Sequence, residues 1–149
     1  VKPQTVETIK VVAIGGVALY ALKKVSDFFK QTGGKTAGER TEDIEKIPVD
    51  ANKLQFLPTV YDRIADTQYW SMNQAGTDEK PLFDSLKNLN TEDLKAVYKA
   101  FGVRRPTTGM YTNIPIGQAS DLIAWYGSEL NNSELSDMRK IWEPTKLWK

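Results

Sequence analysis

The chain has 149 residues, enough for one domain with a modest core, and its 20 Lys+Arg against 19 Asp+Glu create no net field toward nucleic acid or an acidic ligand. It contains neither Cys nor His. Disulfides, thiolate zinc sites, thiol nucleophiles, Ser-His-Asp triads and imidazole metal ligands are thereby excluded, so any enzyme here would work with carboxylates, Lys or Tyr.

Residues 11–22, "VVAIGGVALYAL", form an uninterrupted apolar run, with Lys10 before it and Lys23 and Lys24 after it. As a helix the run is roughly 18 Å long, short of the ~30 Å hydrocarbon core. Ile9, Val25, Phe28 and Phe29 continue the apolar pattern, and the flanking lysines can snorkel toward head groups. Three readings fit the run. A cleavable signal peptide conflicts with Lys23-Lys24, which stand where small residues should mark a cleavage site. A buried soluble helix that is apolar all round needs full cover from a small remaining chain. A membrane anchor is preferred: Gly15-Gly16 is poor in an exposed helix but ordinary in a bilayer, where small residues permit close packing. The expected anchor residues are Lys10, Val11, Ile14, Gly15, Gly16, Leu19, Leu22, Lys23 and Lys24. The lysines after the run weakly place the C-terminal part on the cytoplasm-like side.

The expected organisation is an anchor helix at 1–31, a linker at 32–53 and a five-helix module at 54–149. The linker is polar, Gly33-Gly34 should stop the first helix, and one helical turn at 42–46 is allowed before Pro48. In the module, Pro58 suits a first helical position, and Val60, Tyr61, Ile64, Ala65, Gln68, Tyr69 and Met72 recur at helical steps. The next helix has Thr77 or Asp78 as N-cap and Pro81 in its first turn, with Leu82, Phe83, Leu86 and Leu89 on its face. Asn90 to Asp93 cap a third helix carrying Leu94, Val97, Tyr98 and Phe101, which Gly102 ends.

Residues 103–118, "VRRPTTGMYTNIPIGQ", have no helical period and read as a long loop. Its apolar Met110, Tyr111, Ile114 and Ile116 either tuck onto the helices or offer a contact surface. Arg104-Arg105 suits ion pairing more than phosphate binding. Ser120 and Asp121 open a helix with Leu122, Ile123, Tyr126 and Leu130 facing inward. Asn131 to Glu134 cap a last helix packed through Leu135, Met138, Ile141 and Trp142 until Pro144. Trp70 and Trp125 suit the core; Trp148, among Lys146 and Lys149, is expected to be exposed and suits an interface with protein or lipid head groups. Helices near 58–73, 79–89, 92–101, 120–130 and 133–142, with no strand-like alternation, make the class all-α.

This order of motifs resembles the annexin repeat. The matching pieces are Gly76-Thr77-Asp78-Glu79 between the first two helices, Ala100-Phe101-Gly102, Asp121-Leu122-Ile123 with Ser128-Glu129-Leu130, and Pro144. The resemblance spans 58–144 and implies five short helices. It also implies a calcium site that docks on acidic phospholipid, with carbonyls from Met72, Gln74 and Gly76 and a carboxylate from Glu129. The chain departs from the family in having one repeat, a longer loop at 103–118, and Gln74 where Gly is usual. The corner is therefore expected to be mainly architectural, with calcium-dependent lipid binding as the alternative.

The expected function is non-enzymatic: a membrane-anchored structural adaptor, such as one joining the internal membrane of a lipid-containing virus to its capsid. No cofactor is expected. The implied partners are a bilayer, other structural proteins or a second copy of the chain, and not nucleic acid. Asp62 and Asp66 lie one helical turn apart, a spacing that usually marks a solvated face, and no carboxylate pair is spaced for acid-base work on sugars.

Overall fold

The computed structural model describes residues 35–74, 76–108, 115–116 and 118–149. Within them the chain is all-α: helices α1 (Ala37–Glu45), α2 (Pro58–Met72), α3 (Glu79–Asp84), α4 (Thr91–Phe101), α5 (Leu122–Glu129) and α6 (Asn132–Trp142), with single 3-10 turns at Ala51–Lys53 and Glu143–Thr145. No strand forms among the described residues. The loop after α4 closes on two isolated antiparallel bridges, Arg104 with Ser120 and Thr107 with Pro115.

Helix starts follow the local chemistry. Pro58 stands in the first turn of α2. Asn90 and Asn131 cap α4 and α6, and each is answered by an acid three residues on, Asp93 and Glu134, in a capping box. Asp121 caps α5 through the Ala124 N–H at 3.0 Å. Gly102 ends α4 at φ 59° and ψ −132°, a backbone conformation that belongs almost wholly to glycine.

The core is built on α2, α4 and α5. Helix α4 packs along α2 and also meets α1 and the C-terminal turn. Trp125 of α5 is fully buried and receives Tyr69 and Phe101 edge-on, with centroids 5.4 and 6.2 Å away. Trp142, also fully buried, meets Tyr98 and Tyr126 at 6.3 and 6.0 Å.

Five expectations need correction. The segment read as linker holds α1, a helix with its own capping box: Thr36 Oγ1 accepts the Glu39 N–H, and the Glu39 carboxylate accepts the Thr36 N–H. Ile44 of α1 enters the core, Arg40 pairs with Asp121, and Lys99 donates to the carbonyls of Glu45 and Ile47. Helix α3 ends at Asp84, and residues 85–88 continue as turns through a left-handed Asn88. Asp78 stands at its N-cap position without a side-chain capping bond. Trp70 is 55% exposed, because it follows the inward-facing Tyr69 and the helix rotates ~100° per residue. Trp148 is half-buried and stacks on Tyr126 at 5.8 Å, its planes 16° apart.

Candidate functional site

The corner between α2 and α3 is the site to which the sequence assigns chemistry. Gly76 has φ 85°, a conformation that suits glycine, and no heavy atom lies within 4 Å of where a Cβ would stand. The Asp78 N–H donates to the Ser71 carbonyl at 2.9 Å, folding the corner back on the last turn of α2. Thr77 Oγ1 reaches the Glu129 carbonyl at 3.5 Å, the outer limit of a hydrogen bond. Gly76 and Glu129 therefore belong to neighbouring parts of the surface, although Thr77 and Glu129 are 52 residues apart in sequence. Met72 contributes a fully buried side chain to the core, and Gln74 is half-buried. Among the described residues, the non-glycine residues with left-handed backbone are Asn88 and Lys146, so Gln74 does not take the conformation that glycine would supply. No cluster of three or more acidic side chains able to hold a metal occurs among the described residues. A site made of carbonyls and one carboxylate requires no such cluster.

Beneath the corner, buried polar groups satisfy one another. Gln68 Nε2 donates to the Leu82 carbonyl and to Ser85 Oγ, both at 2.7 Å, and Gln68 Oε1 accepts the Tyr126 hydroxyl at 2.6 Å. This ties α2, α3 and α5 together. Burial raises the Tyr126 phenol well above its ordinary range, so it remains a neutral donor. Asn73 grips the loop after α4 twice: its Oδ1 accepts the Thr107 N–H at 2.8 Å, and its Nδ2 donates to Thr107 Oγ1 at 2.7 Å. Arg104 is structural as well. Its guanidinium lies over the rings of Tyr69 and Phe101, pairs with Asp66 at 2.8 Å and donates to the Phe101 carbonyl at the end of α4.

Periodicity could not show these cross-links, since most join a polar side chain to a group remote in sequence. The anchor positions Lys10, Val11, Ile14, Gly15, Gly16, Leu19, Leu22, Lys23 and Lys24 lie outside the described residues, as do Met110, Tyr111 and Ile114 of the loop. No helix among the described residues is long and apolar enough to cross a membrane. Compared with known proteins, the chain matches no family model, no curated protein and no solved structure.

Proposed function

We propose that this chain is a non-enzymatic, membrane-tethered adaptor whose helical module is held close against a bilayer. The observation that carries the proposal is the apolar run at 11–22 between Lys10 and Lys23-Lys24, set just ahead of the folded module. Gln118 Nε2 donates to the Lys35 carbonyl at 3.1 Å, and Thr36 caps α1, so the module takes hold of the chain from Lys35. Ten residues, 25–34, separate the lysine flank from that point. Fully extended they reach at most ~40 Å, about one module diameter. An anchor there keeps the module at the membrane surface, as an adaptor between a membrane and a protein layer requires. A lipid-containing virion is one setting of that kind.

The test is flotation of the full chain with phosphatidylcholine vesicles. Ile14→Asp with Leu19→Asp should release it, since each acid costs a few kcal/mol at mid-membrane. A double variant that floats like the parent would place the attachment elsewhere.

A second reading is a calcium-dependent phospholipid-binding module resembling a single annexin repeat. The approach of Thr77 to the Glu129 carbonyl favours it, because it sets the corner beside the residue that would supply the carboxylate.

A further inference from the structure

At the C-terminal end of α6 lies a cavity of about 530 Å³ lined by Arg139, Lys140, Glu143, Lys146, Trp148 and Lys149. Four cations face one anion there. The end of the helix offsets roughly half a charge, which leaves roughly +2.5. Lys140 is paired with Asp137 at 2.8 Å, whereas Arg139, Lys146 and Lys149 form no ion pair with any described residue. Cations at a helix end are ordinary in themselves. Here, however, they surround a fixed aromatic wall. One face of Trp148 is stacked on Tyr126, which is fully buried, and the Arg139 guanidinium lies 5.2 Å from the Trp148 ring centroid. Lys146 turns the chain through a left-handed residue at φ 58°, which brings Trp148 back to the helix.

We propose that this pocket docks the phosphate of an anionic phospholipid, so that the module lies on the membrane with its C-terminal end against the head groups. Arg139 presents a planar fork to phosphate oxygens, Lys146 and Lys149 supply point charges, and Trp148 suits the interfacial layer. The choice of a lipid phosphate over a soluble one rests on the membrane-tether reading, since the short tether confines the pocket within reach of a bilayer.

The test uses the full chain carrying Ile14→Asp and Leu19→Asp, so that binding through the apolar run is removed and docking is read alone. Partition is measured into phosphatidylcholine vesicles with and without phosphatidylglycerol. The anionic vesicles should bind it at least tenfold better. Adding Arg139→Gln and Lys146→Gln should lower that partition roughly fivefold per cation. A control with Lys53→Gln and Lys87→Gln, the same charge change elsewhere, should lower it much less. Equal losses in the two variants would show a general charge effect and overturn the pocket. Equal partition into neutral and anionic vesicles would overturn it too. Thermal stabilisation by inorganic phosphate with no preference for anionic vesicles would assign a soluble phosphate and overturn the lipid. Firm binding to neutral vesicles by the Asp variants would instead count against the anchor, whatever the pocket variants do.

Discussion

Tyr61 of α2 donates its phenolic hydrogen to the buried carboxylate of Asp93 on α4. That carboxylate also accepts the N–H groups of Gln55 and Asn90, each at 3.0 Å, while the Tyr61 oxygen accepts the Phe56 N–H at 3.1 Å. One side chain thus caps its own helix, fixes the approach to α2 and locks the two helices together. Asp93→Ala leaves three donors without their acceptor and should destabilise the module by about 3–5 kcal/mol; Tyr61→Phe should cost about 1–2 kcal/mol. Because the two share one network, the double variant should lose less than the sum. Urea denaturation measures all three. A loss below about 1 kcal/mol for Asp93→Ala would mean that this carboxylate is not a keystone.

Helix α1 should prove part of the folded body and yet separable from it. Its one buried apolar residue is Ile44, 4% exposed, and among the helices it packs chiefly on α4. Ile44→Asp should therefore speed amide hydrogen exchange through 37–45 while leaving α2 and α5 slow. Thr36→Ala should act in the same direction by about 1 kcal/mol through loss of the cap. Exchange through 37–45 that is already fast in the parent would contradict the packing of α1.

The stability of the module should fall at high pH. Burial pushes the Tyr98 phenol up from 10.0 to about 12, against the opposing pull of the Arg40 charge, and burial likewise raises Tyr126 and Tyr61. A folded-state value above the unfolded one means that the folded chain holds the proton more tightly. The stabilisation is complete below pH 10.0 and declines as pH rises through the window to about 12, where the unfolded chain has released protons that the folded chain keeps. Melting temperature followed across that window should drop, and Tyr98→Phe should drop less steeply. Phenolate absorbance that titrates fully at the ordinary tyrosine range in the folded protein would refute this.

The apolar stripes of α2, α4, α5 and α6 are legible because each combines a helical period with a start signal, Pro58 for α2 and the capping residues Asn90, Asp121 and Asn131 for the others, so phase and start are specified independently. Leu122, Phe101 and Met138 are buried where those stripes place them. Helix α1 escaped because eight of its nine residues are unburied and its hold comes from Ile44 and from Arg40 reaching Asp121, partners remote in sequence. Its capping box, Thr36 with Glu39, was the available local signal. The end of α3 was misread because Leu86 and Leu89 continue the apolar spacing through turns. Spacing reports which side chains face inward, not whether the backbone between them keeps its hydrogen bonds. The basic pocket was foreshadowed only by the sequence neighbours Lys146, Trp148 and Lys149, since Arg139 joins them through the turn after α6.

The corner at Gly76 should be mainly architectural. It is closed by the Asp78 N–H on the Ser71 carbonyl and braced by Thr77 against Glu129. Gly76→Val meets no steric neighbour, since nothing lies within 4 Å of its Cβ position. Its penalty comes from the backbone alone: a β-branched residue at φ 85° is strained by about 1–3 kcal/mol. Glu129→Ala removes the half-buried carboxylate at the end of α5 that would ligate calcium. Calorimetry of the parent and both variants, in calcium and in chelator, separates the two readings of the corner. If the corner is architectural, the parent melts at the same temperature in both buffers, and Gly76→Val lowers that temperature equally in each. If the corner holds calcium, the parent is stabilised by calcium, as any ligand bound only by the folded state must stabilise it. That stabilisation would vanish in Glu129→Ala, and the calcium-dependent lipid reading would then replace the architectural one.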